Sequence, residues 1–180
     1  MLENDIKKVL VSKEEIDSIC KSLGEKITSD YKDKDLVVVG LLSGCLPFMS
    51  DLVRYIDLYI QTDYMKVSSY KGKESSGHLE IKSDLNIDVA GKDVLLVDDI
   101  IDTGLTLKET VSLFKNVKKA KSVKTCVLLD KPLGRKETIE ADYVGTTVPK
   151  EFVVGYGLDY NNNYRNLGFV GVLKEEVYSK

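Results

Sequence analysis

The sequence predicts an α/β fold: a mainly parallel, twisted sheet flanked by helices on both faces. Residues 36–42 and 94–97 are continuous apolar runs with the length and composition of buried parallel strands. Each run is followed by a loop and then by apolar residues at helical spacing. Parallel sheets are built from such strand–loop–helix units, so we expect both loops at the carboxyl edge of the sheet, where open α/β folds bind ligands.

The composition is that of an ordinary globular domain. The 180 residues, 43% hydrophobic and 31% charged, suffice for one domain with a substantial core. A net charge of −3 gives no indication of a nucleic-acid or membrane surface. The three cysteines are scattered, and the first residues lack the pattern of a secretory signal. We therefore expect buried, reduced thiols in a cytoplasmic protein, with no nucleic acid and no membrane among its partners.

Two other segments have clear patterns. Ser12 and Glu15 form a capping-box sequence, and the apolar positions that follow predict an amphipathic helix. Residues 58–70 show the mixed alternation of a strand, and residues 71–77 are polar and bracketed by glycine, as in an exposed loop.

An acidic loop after residues 94–97 carries the main chemical signal. It contains three carboxylates and a Thr-Gly-Leu-Thr turn, namely Asp98, Asp99, Asp102, Thr103, Gly104, Leu105 and Thr106. The glycine permits a tight turn, and the free N–H groups at the start of a helix, with two hydroxyls, form a cradle for phosphate. Carboxylates beside a phosphate must bind hydroxyls, a hard cation or a proton. The loop therefore predicts a sugar phosphate with magnesium; an acidic turn that caps a helix or binds calcium is the alternative.

This loop resembles the phosphoribosyl diphosphate site of the type I phosphoribosyltransferases. A second motif, Leu-Leu-Asp-Lys, closes the apolar run 123–129 at Lys131, and with residues 148–160 it narrows the resemblance to the hypoxanthine-guanine enzymes of that family. The likeness extends over residues 36–173. It implies the type I phosphoribosyltransferase fold in a single domain over residues 1–180, with a small hood subdomain formed by the N-terminal and C-terminal segments. It also implies a homodimer or a homotetramer.

The resemblance implies that several loops bind phosphoribosyl diphosphate: Ser43, Gly44, Asp98, Asp99, Asp102, Thr103, Gly104, Leu105, Thr106, Arg135 and Arg165. Asp98 and Asp99 would hold the ribose hydroxyls directly or through magnesium. Backbone groups around Ser43 would contact pyrophosphate, next to a cis Leu42–Ser43 bond; an ordinary βα turn is the alternative. Many relatives carry Lys in place of Ser43 and Glu in place of Asp98. The two arginines would face the pyrophosphate.

The resemblance also implies a purine site. Lys131 would donate to the 6-oxo group, Phe152 would stack on the ring, and Val153 would read the base edge through its backbone. Asp102 would be the catalytic general base that accepts the N7 proton. Asp159 would lie beside the base and bind a second magnesium ion, so the predicted metal ligands are Asp98, Asp99 and Asp159. From the sequence alone, a surface lysine at 131 and a core aromatic at 152 remain alternatives.

A lid is the last implied feature. Ser69 and Tyr70 would begin a segment that closes over the reacting sugar and excludes water. A surface hairpin tip is the alternative. His78, which lies beyond residues 71–77, is interpreted as a solvated residue.

The implied activity is purine salvage. A 6-oxopurine and phosphoribosyl diphosphate would give IMP or GMP and pyrophosphate, with Mg²⁺ as cofactor. Three alternatives stay open at this stage: a regulator of the same fold that binds nucleic acid, an enzyme that prefers xanthine, and one that uses uracil.

Overall fold

The computed structural model describes residues 1–69 and 79–179. Its strands are β1 (Ile6–Val11), β2 (Leu36–Leu41), β3 (Ile60–Ser69), β4 (Leu79–Ser83), β5 (Asp93–Ile101), β6 (Ser122–Asp130), β7 (Tyr143–Thr147), β8 (Val153–Val154) and β9 (Val170–Leu173). Its helices are α1 (Lys13–Asp30), α2 (Leu46–Leu52), α3 (Leu105–Asn116) and α4 (Glu175–Tyr178).

A six-stranded sheet forms the centre of the molecule. Its order is β4-β3-β2-β5-β6-β7, and all neighbours are parallel except β4, which runs antiparallel to β3. The prediction of a mainly parallel sheet is confirmed. Strands at the centre of such a sheet are covered on both faces, which is why β2 reads as an unbroken apolar run.

Helices cover both faces of this sheet. Val38 points to a cluster that includes Ile16 of α1 and Phe48 of α2. Val39, its neighbour in β2, points to a second cluster that includes Phe114 of α3. Because successive strand residues alternate between faces, one apolar strand serves both clusters. The predicted two-sided architecture is therefore present.

The predicted capping box starts α1. The Ser12 hydroxyl accepts a hydrogen bond from the Glu15 N–H at 3.2 Å, and the Ser12 N–H donates to the Glu15 carboxylate at 2.7 Å. The buried face of the helix then consists of Ile16, Cys20, Leu23, Gly24 and Ile27. Both the start and the amphipathic pattern of this helix follow the prediction.

Strand β5 is longer than its apolar run. The sequence suggested that the strand stops at Asp98, but β5 continues to Ile101. Its pairing with β2 ends at Val97, whereas its pairing with β6 continues to the end of the strand. The prediction was wrong at this boundary because β6 supplies hydrogen-bond partners beyond the point where β2 has turned away. The acid pair consequently lies within the strand, with its β2 side open.

A second, smaller sheet joins the two ends of the chain. It has the order β1-β9-β8, with antiparallel pairs such as Ile6 with Leu173 and Val153 with Val172. Its residues include Val153 and Val170, which pack in the same cluster as α1 and α2. Cys20, Cys45 and Cys126 are free and buried, as predicted. In the part of the chain that the structure describes, no helix has the length and apolarity needed to cross a membrane.

Asp63 fastens the chain segment that leads into β5. It is buried in β3, and its carboxylate accepts hydrogen bonds from the N–H groups of Tyr64 at 2.8 Å, Asn86 at 2.6 Å and Ile87 at 2.9 Å. Burial opposes ionisation, but these donors outweigh it and hold the pKa of Asp63 below its ordinary value.

Asp63→Asn should lower the free energy of unfolding at neutral pH by about 1–3 kcal/mol, because an amide cannot accept all of these donors. A depressed carboxylate pKa stabilises the fold above the ordinary pKa of about 4, and this contribution disappears as the pH falls through the folded-state value. The difference between variant and wild type should therefore shrink in acid. Urea unfolding at several pH values measures it, with the exposed Glu25→Gln as control. A difference independent of pH would contradict the assignment.

Candidate active site

Four chain segments meet at the carboxyl edge of the large sheet. They are the loop after β2, the end of β5 with the turn into α3, the end of β6, and the turn after β8 in the small sheet. These segments contain most of the residues singled out in the sequence. The parallel topology brings these loops together at the carboxyl edge of the sheet, as the sequence predicted.

Asp98 and Asp99 form a desolvated pair of like charges. The Asp99 N–H donates to the Asp98 carboxylate at 3.0 Å, and the Ile100 N–H donates to the Asp99 carboxylate at 2.8 Å. These bonds do not fully offset the loss of water. Burial, and then the neighbouring charge of Asp99, raise the pKa of Asp98 well above its ordinary value, and burial also raises the pKa of Asp99. A cation or a set of hydroxyls at this position would relieve the repulsion.

Two glycines bring the acid pair, the loop after β2 and the small sheet into direct contact. The Leu42–Ser43 peptide bond in that loop is cis. A Cβ at Gly44 would overlap the Asp99 carboxylate, and one at Gly157 would overlap the Gly44 carbonyl oxygen. Gly157 also has φ 100°, in the left-handed region that favours glycine. The backbone at Gly44 therefore lines the site without a side chain.

The turn into α3 forms a small cavity. Gly104, with φ 83°, starts the helix, and the Leu105 N–H donates to the Thr103 hydroxyl at 3.4 Å. The cavity has a volume of about 160 Å³ and is lined by Asp98, Ile100, Ile101, Asp102, Thr103, Gly104, Thr106 and Leu107. Its position at the N-terminus of a twelve-residue helix suits a phosphate group.

Asp102 and Lys131 form an ion pair, which the sequence did not predict. The Lys131 ammonium donates to the Asp102 carboxylate at 3.2 Å, although the residues are 29 positions apart. The lysine side chain is 14% exposed and the aspartate side chain 43% exposed. The other carboxylate oxygen lies against Gly134, where a Cβ would overlap it. The Asp102 carboxylate thus lies between the Lys131 ammonium and the backbone of Gly134. Its side chain remains partly accessible at the edge of the sheet.

Arg135 forms hydrogen bonds that connect the segment containing Asp102 with the segment that follows Lys131. Its Nε donates to the Asp102 carbonyl at 3.0 Å, its Nη1 to the Ile139 carbonyl at 2.5 Å, and its Nη2 to the Ile101 carbonyl at 3.3 Å. The Nη2 group also binds the carboxylate of Asp130. With every guanidinium nitrogen on a protein oxygen, this arrangement favours a positioning role over the predicted contact with pyrophosphate.

Arg165 and Asp159 lie together in the turn after β8. The Arg165 guanidinium contacts the Asp159 carboxylate at 2.7 Å and donates to the Gly157 carbonyl at 2.5 Å. Its charge also acts on Asp99, whose pKa it lowers against the larger effect of burial. The structure thus places Arg165 near the acid pair, as a pyrophosphate ligand requires. Within residues 1–69 and 79–179, no three His, Cys, Asp or Glu side chains group into a metal-binding cluster.

The aromatic predicted to stack on a base lies beside β8. Phe152 is 37% exposed, and Tyr160 and Tyr178 contact its ring. Val153 is buried in β8, opposite Val172. Of the predicted lid, Ser69 is the last residue of β3, whereas Tyr70 lies outside the described residues, as do His78 and the polar loop between them.

Sequence reasoning missed three residues at this edge: Gly134, Gly157 and Tyr178. Gly157 follows Gly155 by two residues, which was a usable signal for a turn. Gly134 follows Lys131-Pro132-Leu133, so a turn after a strand end was a usable signal. Tyr178 had no local signal, since it meets Phe152 only through the pairing of the small sheet.

Comparisons with known proteins agree with this geometry. The phosphoribosyl transferase domain family matches residues 10–161. The hypoxanthine-guanine phosphoribosyltransferase of Streptococcus pneumoniae strain R6 is 58% identical over 180 residues, 99% of each chain. That of Bacillus subtilis strain 168 is 53% identical over 179 residues, again 99% of each chain. The solved structure of a hypoxanthine phosphoribosyltransferase from Staphylococcus aureus superposes with a TM-score of 0.95 at 50% identity, covering 99% of this chain and 97% of that one.

Asp98→Asn should make the metal-free protein more stable, by about 1 kcal/mol at neutral pH, because it removes one of two desolvated like charges. A raised carboxylate pKa destabilises the fold only where the group would ionise, so the gain should vanish at pH values below about 4. Thermal unfolding in the presence of a chelator measures it, with the exposed Asp57→Asn as control. A loss of stability at neutral pH would show that the pair is not repulsive.

Proposed function

Because the chain belongs to the phosphoribosyl transferase family and its close relatives are purine salvage enzymes, we propose that it transfers the 5-phosphoribosyl group of phosphoribosyl diphosphate to N9 of hypoxanthine or guanine. The products are IMP or GMP and pyrophosphate. The observation that carries the proposal is the Asp102–Lys131 pair, which stands beside the phosphate cavity at the same sheet edge.

The pair matches one edge of a 6-oxopurine. O6 and N7 lie next to each other on that edge, so two protein groups 3.2 Å apart can reach both atoms. Lys131 donates to O6, and Asp102 accepts the N7 proton as N9 attacks the sugar. A 6-amino base would present a donor to the lysine and is rejected. Before the base arrives, each group is satisfied by the other, so neither stands buried and unpaired.

The sugar phosphate occupies the rest of the edge. Thr103, Thr106 and the N-terminus of α3 hold the 5′-phosphate, which fixes the ribose for attack at its anomeric carbon. Asp98 and Asp99 hold the ribose hydroxyls. The backbone of Ser43 and Gly44 and the guanidinium of Arg165 face the pyrophosphate. The proximity of Gly44 to Asp99 supports this order of groups along the site.

The acid pair fits a magnesium ion. Mg²⁺ is held in proteins by one or two carboxylates together with the phosphates of a substrate, and a larger carboxylate cluster is not required. The raised pKa values of Asp98 and Asp99 indicate negative charge that lacks a partner. Asp98 and Asp99 would hold one ion and Asp159 a second. Bound there, magnesium would neutralise the pyrophosphate and make it a better leaving group.

The setting of the enzyme is part of the proposal. We expect a cytoplasmic homodimer or homotetramer in which Ser69 and Tyr70 begin a lid. Three buried free cysteines suit a reducing compartment, and burial raises the pKa of Cys20 to about 11, which keeps that thiol protonated and unreactive.

A base panel tests the proposed function. With magnesium and phosphoribosyl diphosphate, hypoxanthine and guanine should be turned over while adenine and uracil are not; xanthine decides between the main proposal and a xanthine-preferring enzyme. Asp102→Asn is the matched control, because it preserves shape but not basicity, and it should lose turnover while retaining substrate binding. Binding of the sugar phosphate without turnover of any base would point to a regulator instead.

Arg135→Lys should lower kcat by about 10- to 100-fold while changing the KM for phosphoribosyl diphosphate less than about threefold, because one ammonium cannot hold four acceptors and the Asp102 loop loses its geometry. Steady-state kinetics measure this, with Arg54→Lys as the control at an exposed ion pair. A rise in the KM for phosphoribosyl diphosphate with unchanged kcat would restore the pyrophosphate contact implied by the sequence.

A further inference from the structure

The ring of Phe152 contacts two tyrosine rings. The ring of Tyr178 stacks on it, with centroids 5.0 Å apart and planes at 22°. The ring of Tyr160 meets it at 89° with centroids 5.6 Å apart, which is an edge contact. Phe152 is nevertheless 37% exposed. Tyr178 occupies one of the two faces of the ring, so a base that stacks on Phe152 must use the other, which we call the open face.

Tyr178 is fixed in place by contacts outside the active site. The Leu173 N–H, at the end of β9, donates to the Phe152 carbonyl at 2.9 Å, and the Lys174 N–H donates to the Asp5 carbonyl at 2.9 Å. These bonds set the start of α4 against both the Phe152 segment and the N-terminal segment. Val177 then packs in the apolar cluster of the small sheet. These contacts hold the helix in the position at which Tyr178 meets Phe152.

We propose that Tyr178 is a positioning residue for the purine: it backs the Phe152 ring, so that base, Phe152 and Tyr178 stack as three layers. The proposal rests on the proposed function, because it assigns the open face of Phe152 to the base. It makes the last helical turn of the chain a determinant of base affinity, although that turn contacts neither base nor sugar.

The physical effect of such backing is preorganisation. A half-exposed aromatic side chain without support samples several orientations, and a ligand that stacks on it must restrict them. Offset stacking against Tyr178 restricts the ring beforehand. The benefit therefore appears in binding of the base and leaves the chemical step and the sugar phosphate unaffected.

The alternative position of Tyr178, on the face of Phe152 that the base needs, predicts the opposite change in base affinity. If Tyr178 occupied the face that the base needs, the helix would compete with the substrate, and removing the tyrosine ring would tighten base binding. The sign of the change in base affinity separates the two arrangements.

Steady-state kinetics and calorimetric binding of IMP to the full chain test the proposal. Tyr178→Ala and Tyr178→Leu should raise the KM for hypoxanthine and the Kd for IMP by about three- to tenfold. The kcat and the KM for phosphoribosyl diphosphate should stay within about twofold. Tyr178→Phe, which keeps the ring, should behave as wild type. Glu176→Ala, an exposed position of the same helix, is the matched control and should also behave as wild type.

A double-mutant cycle tests whether Tyr178 acts through Phe152. In a Phe152→Leu background, Tyr178→Ala should have little further effect on the KM for hypoxanthine. An equal effect in both backgrounds would overturn the proposal, as would a lower KM in Tyr178→Ala or a parallel change in kcat and in the KM for phosphoribosyl diphosphate. A wild-type protein that turned over no base would overturn the proposed function as well, and that result needs no variant.

Discussion

The reactive part of this molecule depends on one guanidinium. Arg135 bonds to backbone carbonyls at the end of β5 and beyond, and to the carboxylate of Asp130 at the end of β6. The loops after β5 and β6 are also joined by backbone hydrogen bonds, from the Lys131 N–H to the Ile101 carbonyl at 3.0 Å and from the Lys136 N–H to the Thr103 carbonyl at 2.9 Å. The planar, multidentate fork of arginine joins those loops into one unit, and so sets Asp102 opposite Lys131. In the proposed function, this pair reads the edge of the base, and Arg135 sets its spacing.

The acid pair illustrates a different principle. Asp98 and Asp99 are half-buried neighbours whose partial loss of water raises the pKa of both, and their repulsion opposes folding. The strand accommodates them because it continues to pair with β6 while its β2 side is open. In the proposed function, hydroxyls or a cation would bind at this pair and offset the repulsion. The acid pair of the proposed site thus lowers the stability of the fold, as functional groups do in many enzymes.

The sequence predicted those features that depend on local pattern and topology. The unbroken apolar run of β2 and the capping box of α1 each identify their element correctly. The end of β5 was missed because it depends on which neighbouring strand continues. The partners of Arg135 and the stacking of Tyr178 on Phe152 were missed because long-range contacts of side chains leave no periodic trace in the chain.

The glycines at this edge have a consequence for inhibition. Gly44 lies against Asp99, Gly134 against Asp102, and Gly157 against the Gly44 backbone, with no room for a β-carbon at any of them. Any substitution at these positions therefore displaces a group to which the proposed function gives a role. In the proposed function, a substitution at any of these glycines would inactivate the enzyme. Resistance to an inhibitor that rests mainly on these backbone surfaces would then have to arise at the surrounding side chains.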